Sequence, residues 1–311
     1  MTHGITHSHT YRTIAVPVAG GDLRVAVWDP IDEGTSAVTD AAPSVLLIHG
    51  VTSSHLAWSF VVDRLPGVRV IAPDLRGRGG SNSLAGPAGM RAHAQDLATT
   101  LDALGIDRIL VVGHSMGAFV AVTFADLYED RVERLVLVDG GLPLDVPKGL
   151  DAATMMSSVL GPTAARLSMR FADTDAYLEF WHVHPAFQGP WTPELEAYFT
   201  YDLVDDGDGA LRPATSYATT AEDTVDQNSG TTLTDAIARL RHPTRFITAS
   251  RGLQNEEPGL YAPEHLARVL ADSPAVEHER FDDLNHYTIV LSDAGADAVG
   301  QIIREELAVA A

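Results

Sequence analysis

The strongest chemical signal in the chain is the five-residue stretch Gly113-His114-Ser115-Met116-Gly117. It follows the apolar run Leu110-Val111-Val112 and precedes the small-residue apolar stretch Ala118-Phe119-Val120-Ala121, so a buried strand runs into a helix with a serine at the turn. A turn that sharp forces the serine into a strained backbone conformation, and glycine on both sides avoids side-chain clashes. The hydroxyl is lifted clear of the sheet, with the N-terminus of the next helix aimed at it. Ser115 is therefore the candidate nucleophile. A chance Gly-x-Ser-x-Gly in a chain rich in both residues would not come with the strand and the helix in place.

A serine hydroxyl is a poor nucleophile near neutral pH, so it needs a base beside it and a group that orients the base. In a parallel sheet these belong in loops at the carboxyl ends of strands, in the chain order serine, acid, histidine. His286 satisfies position and order. It lies in Asp282-Asp283-Leu284-Asn285-His286-Tyr287-Thr288, between the last strand pattern and the last helix pattern. Two loops can supply the acid. Asp139 follows the run Val132–Val138, and Glu256 lies in Ser250-Arg251-Gly252-Leu253-Gln254-Asn255-Glu256-Glu257 after the run Arg245–Ala249. The natural turn position of that second loop holds Asn255, and an amide cannot stabilise an imidazolium as a carboxylate does. Asp139 is favoured, with Glu256 the alternative. An oxyanion needs two preorganised N–H donors, which Met116 supplies from the first helical turn and Val51 from the His49-Gly50-Val51 loop.

The elements that must position these groups alternate at short intervals. Thr13–Val18 and Leu23–Trp28 read as a hairpin, followed by strands at Ser44–Ile48, Val68–Ala72, Arg108–Val112 and Val132–Val138 with helices between them. From Leu142 to about Arg241 the alternation stops, and helical patterns rich in Met, Trp, Phe and Tyr take over. Trp181, His182 and Met155 are the substrate-binding candidates there. Sheet and helix then resume to the end. Among the other histidines, His93, His242, His265 and His278 read as exposed, His114 as bonded locally, and His3, His7 and His9 as part of a disordered tail rather than a metal site. The charged turn at Asp74-Leu75-Arg76 reads as a structural ion pair.

The 311 residues can bury a large core, and 45% hydrophobic with 20% charged residues is ordinary for a soluble enzyme. A formal net charge of −21 repels phosphate backbones and anionic lipid, which argues against nucleic-acid and membrane partners. No cysteine is present, so disulfides, zinc–thiolate sites and a thiol nucleophile are excluded. No signal peptide and no membrane-length apolar run is visible, and the reading is a cytoplasmic protein with no metal, no cofactor and a small-molecule substrate. The oligomeric state is left open.

His49-Gly50, Asp74-x-Arg76-Gly77-x-Gly79-x-Ser81, Gly113-His114-Ser115-Met116-Gly117 and Asn285-His286-Tyr287-Thr288 span almost the whole chain. In that order they resemble the α/β-hydrolase superfamily, in its cap-bearing serine esterase or lactonase-like branch. The resemblance implies an α/β fold with an eight-stranded, mostly parallel sheet flanked by helices. It also implies a core formed by 1–141 and 242–311 and a helical cap over the site at 142–241. Relatives often carry a Gly-x-x-Asp acid where this chain has Gly252-Leu253-Gln254-Asn255. Serine at the elbow argues against dehalogenase and epoxide hydrolase chemistry, since those relatives use aspartate there. The implied activity is hydrolysis of a carboxylic ester or lactone of a small, largely apolar substrate. The alternatives are carbon–carbon bond hydrolysis of a diketone and a ligand-binding protein with little turnover.

Overall fold

The computed structural model describes residues 8–31, 42–147 and 149–310. Among the described residues there are ten strands: β1 (His9–Val18), β2 (Gly21–Pro30), β3 (Ser44–Ile48), β4 (Arg69–Pro73), β5 (Ile109–His114), β6 (Val132–Val138), β7 (Leu203–Asp205), β8 (Leu211–Pro213), β9 (Thr244–Arg251) and β10 (Val276–Asn285). Eight of them form one sheet in the order β1-β2-β4-β3-β5-β6-β9-β10. The hairpin β1–β2 and the pair β2–β4 are antiparallel, and every other pairing is parallel. The chain has an α/β fold with an eight-stranded, mostly parallel sheet flanked by helices.

The parallel strands are near-continuous apolar runs because both faces of the sheet are covered. With a side-chain period of two, Val45 and Leu47 point to one face and Leu46 and Ile48 to the other, and all four are fully buried. The first pair packs with Trp58 and with Val299, Ile302 and Ile303 of helix Asp293–Ala310. The second packs with Leu97 and Leu101 of helix Met90–Ala103 and with Phe119 and Val120 of helix Met116–Leu127. Truncating such a side chain, as in Leu47→Ala, costs about 2–5 kcal/mol because the tightly packed surroundings relax only partly into the void.

Register is what matters for the site. Ile48 pairs with Gly113, His114 with Val138, and Val138 with Ile247. The residues that follow these pairs, His49-Gly50, Ser115 and Asp139, therefore leave the sheet at one edge. At β10 the register shifts between Phe281 and Asn285, and the chain leaves the same edge with His286 next.

Between β6 and β9 the chain is mostly helical, with helices at Ala152–Leu160, Pro162–Arg166, Thr174–His182, Pro193–Tyr201, Tyr217–Ser229 and Thr231–Arg239. The acidic stretch Asp205–Gly209 runs from the last residue of β7 into the turn that joins the short antiparallel pair β7–β8, a hairpin that the sequence pattern does not show. The last helix of this segment, Thr231–Arg239, buries Leu233 and Ala236 against the sheet-side core with Phe119. It thus belongs to the layer that covers the sheet, although it falls inside the expected 142–241 insertion.

Several expectations are corrected by burial. His9 is no part of a tail: it lies in β1, fully buried, with Nε2 2.9 Å from the Val68 carbonyl, while His3 and His7 lie outside the described residues. His93 and His265 are buried rather than exposed, the first bonded to Asp223 and the second donating to the Pro143 carbonyl at 2.7 Å. Asp74 and Arg76 do not pair with each other. Asp74 accepts from His55 and Tyr201, and Arg76 forms a two-pronged pair with Asp96 at 2.8 and 2.9 Å.

Candidate active site

Ser115 sits at the turn between β5 and helix Met116–Leu127 with φ 54° and ψ −124°, a strained conformation for a side-chain-bearing residue. The turn is held by the Ser115 N–H, which donates to the Val138 carbonyl at 2.9 Å. Its flanking glycines are required sterically. A Cβ at Gly113 would stand 2.3 Å from the Gly117 carbonyl oxygen, and one at Gly117 would stand 2.1 Å from the Ile48 carbonyl oxygen.

The structure brings Ser115, His286 and Asp139 into one line. His286 Nδ1–H donates to Asp139 Oδ2 at 2.7 Å, which leaves Nε2 as the acceptor for the Ser115 hydroxyl at 3.0 Å. Asp139 is fully buried, and its other oxygen accepts the Ala249 N–H at 3.2 Å, so both carboxylate oxygens are used. It too holds a positive φ, 46°, at the sharp exit from β6. Glu256 is exposed, with Oε2 bonded to the Gln254 N–H at 2.6 Å. Asn255, in the loop where relatives carry an acid, accepts from Asn285 Nδ2 at 3.2 Å. That loop supports the base through its neighbour instead of charging it.

His114 fixes the base from the other side. Burial, and then the nearby His286 imidazole, push His114 well below the ordinary histidine range, so its ring is neutral. Its Nε2–H donates to the His286 carbonyl at 2.9 Å. His49 is also neutral, because complete burial lowers it to about 4 against the opposing pull of Asp74. Its Nδ1–H donates to the Gly50 carbonyl at 2.7 Å, and its Nε2 accepts the Leu75 N–H at 2.9 Å. In a trans peptide the carbonyl and the next N–H point in opposite directions. Turning the Gly50 carbonyl onto His49 therefore turns the Val51 N–H away from it. Met116 is the first residue of its helix, and its N–H has no acceptor within that helix. At Gly50 the backbone passes close to the nucleophile turn, and a Cβ there would lie 3.1 Å from Ser115 Cβ, tighter than an ordinary contact.

Ser115 and His286 open into a cavity whose apolar wall includes Phe119, Leu144, Leu160, Leu253 and Val290. The helix Tyr217–Ser229 adds Thr224, Gln227 and Asn228, and Tyr198 and Tyr287 add phenols that burial keeps neutral. No lysine, arginine or glutamate lines it among the described residues. The three substrate-binding candidates lie elsewhere. Trp181 is buried in an aromatic cluster, stacked on Phe199 at 4.4 Å, with the Arg166 guanidinium 5.1 Å from its ring. His182 is partly exposed, edge-on to Trp191 at 4.1 Å. Met155 is buried, but Leu160 of the same helix faces the cavity, and five residues separate side chains by about 140° around a helix. Missed in the sequence were Thr224, Gln227 and Asn228. Their spacing on one face of a polar helix was the available signal.

Among the described residues no group of three or more histidine, aspartate or glutamate side chains is arranged to hold a metal ion. No helix there is long and apolar enough to cross a membrane.

This strand order, with a serine elbow after the central strand β5, defines the class of α/β hydrolases. A family model described as alpha/beta hydrolase fold matches residues 43–196, and the chain has the α/β-hydrolase fold. Lipase LipV of Mycobacterium tuberculosis is 39% identical over 125 residues, which cover 39% of this chain and 48% of that protein. Epoxide hydrolase 2 of Siraitia grosvenorii is 40% identical over 100 residues, covering 31% and 32%. The chain spans less than half the length of these curated relatives. Among solved structures, E-2-(acetamidomethylene)succinate hydrolase is similar with a TM-score of 0.75 at 20% identity, over 95% of this chain and 100% of that one. The thioesterase domain from the curacin biosynthetic pathway follows with 0.73 at 19%, over 95% and 99%. At such identities the likeness is one of fold.

Proposed function

We propose that the protein is a serine hydrolase that cleaves carboxylic esters or lactones of a small, uncharged, largely apolar substrate under a helical cap. The observation that carries this reading is the relay from Asp139 through His286 to Ser115, with contacts of 2.7 and 3.0 Å, opening into a cavity without cationic side chains. An anionic substrate would find no counter-charge there, and the chain's net charge of −21 would repel it on approach.

In this reading Ser115 Oγ attacks the ester carbonyl while its proton passes to His286 Nε2. The imidazolium is stabilised by Asp139, and the developing oxyanion by the N–H groups of Val51 and Met116. Collapse expels the alcohol, which takes the proton from His286, and leaves an acyl ester on Ser115. Water then gives a proton to His286 and attacks the acyl carbon; the acyl–Oγ bond breaks, Ser115 Oγ takes the proton back from His286, and the carboxylic acid is released. The serine also separates this chain from the epoxide hydrolase relative. Attack of a serine on an epoxide would leave an ether on the enzyme, and water assisted by a histidine does not cleave an unactivated ether.

Turnover of short p-nitrophenyl esters and of simple lactones, in wild type and Ser115→Ala, tests the reading. The expected loss is on the order of 10⁴-fold or more, with folding intact. Near-normal hydrolysis by the purified variant would refute it.

A further inference from the structure

The buried residue Arg78 takes no part in the relay, yet it touches both residues assigned as oxyanion donors. It stands in the turn after β4, with its side chain fully buried. Its Nε–H donates to the Val51 carbonyl at 2.8 Å, and one Nη lies 3.7 Å from the Met116 sulfur. The same guanidinium is ion-paired with Asp223, also fully buried, on helix Tyr217–Ser229. Asp223 is fixed in turn by the Gly89 N–H at 2.7 Å and by His93 Nε2 at 2.9 Å. Burial would raise this carboxyl, but His93 and Arg78 outweigh it and hold Asp223 well below the usual carboxylate range.

The residue after Asp223 is Thr224, which with Gln227 and Asn228 forms the polar wall of the cavity. One helix therefore carries both part of the substrate wall and the anchor of the arginine that clamps Val51. The peptide before Val51 is held by His49 and the peptide after it by Arg78. Without the second clamp the peptide after Val51 is free to turn, the loop is held at Val51 from one side only, and the Gly50–Val51 peptide that carries the N–H can shift as a unit away from the oxyanion position.

We infer that Arg78, anchored by Asp223, is a positioning residue that holds the Val51 N–H in place for the oxyanion. This rests on the proposed hydrolase reading. Arg78→Lys is the informative variant. A lysine ammonium can still pair with Asp223 and keep the buried charge compensated, but it is a single point donor and cannot also reproduce the Nε–H bond to Val51. The expected result is a kcat reduced by about 10–100-fold with KM changed less than about threefold, because donor placement matters in the transition state and not in ground-state binding. Inhibition by an alkyl boronic acid, whose tetrahedral adduct on Ser115 mimics that state, should weaken by a similar factor. Asp223→Asn should move the same quantities in the same direction.

Thermal unfolding of each variant accompanies the kinetics, since a purely structural role would lower the melting temperature while leaving kcat and boronate inhibition unchanged. That pattern, or a raised KM at constant kcat, overturns the inference. Labelling of Ser115 by a fluorophosphonate separates this from the function itself. If wild type labels but hydrolyses no ester, the ester reading fails, and the inference stands or falls on whether Arg78→Lys slows labelling about tenfold or more. A wild type that neither labels nor turns over esters overturns both.

Discussion

Asp139→Asn tests the site where sequence and family pattern diverge. The substitution conserves shape and removes one charge in a fully buried position. Asp139 now accepts twice, from His286 Nδ1–H at 2.7 Å and from the Ala249 N–H at 3.2 Å. An amide has one acceptor and one donating end. If its oxygen faces His286, its NH₂ meets the Ala249 N–H, donor against donor. If its oxygen faces Ala249, its NH₂ donates to Nδ1, and the imidazole is forced into the tautomer with the proton on Nε2. That nitrogen then cannot take the proton of Ser115. By analogy with other triads the cost is on the order of 10⁴-fold in kcat, equivalent to about 5 kcal/mol of transition-state stabilisation. The unmet hydrogen bond should lower stability by about 1–3 kcal/mol and leave the fold intact. Initial rates on p-nitrophenyl esters, beside urea unfolding of the same preparation, measure both. Glu256→Gln is the companion variant and should keep near-full activity, because that side chain is exposed and bonds only within its own loop. An Asp139→Asn enzyme within tenfold of wild type, or a crippled Glu256→Gln, would refute the assignment.

Further outcomes follow from the same geometry. Gly50→Ala would place a Cβ 3.1 Å from Ser115 Cβ, and the displaced nucleophile should lose about tenfold or more in kcat/KM; unchanged kinetics would show that the loop does not crowd the serine. Leu160→Trp should reduce the space in the cavity and lower kcat/KM more for butyrate and longer esters than for acetate, whereas equal losses across the series would place the acyl group elsewhere. Stability should fall with acid. Unfolded His49 takes a proton near 6.5 but the folded residue only near 4, so the unfolded chain binds more protons between those values, and about 3 kcal/mol is lost as pH drops through that window. His114 and His184, also lowered chiefly by burial, act in the same direction, and urea midpoints that stay level from pH 7 to pH 4 would contradict this.

The sheet was legible because its strands are apolar on both faces and its turns are marked by glycine. Runs such as Ser44–Ile48 and Val132–Val138 coincide with strands to the residue. What escaped was local structure inside the inserted segment. The strands β7 and β8 have three residues each, too few for a period-two pattern to emerge. Helix Thr231–Arg239 looked like the rest of the insertion because amphipathicity reports that one face is buried and not which partner buries it.

The same limit explains the site. That Ser115, His286 and Asp139 meet is legible because paired strand ends dictate which residues leave the sheet at one edge. Trp181, His182 and Met155 stand out in the sequence by type alone, and type does not settle direction. Most aromatic residues of the helical insertion pack against one another, as the Trp181–Phe199 stack does, and the insertion's share of the cavity wall is Leu144, Leu160, Thr224, Gln227 and Asn228 beside Tyr198. Arg78 was invisible for a related reason. Next to Arg76 and Gly77 it reads as one more surface charge, and only the fold supplies Asp223, 145 residues later in the sequence, as the partner that allows it to be buried. A buried cation implies a buried anion from a distant element, and that pairing is a property of the tertiary structure which no local pattern encodes.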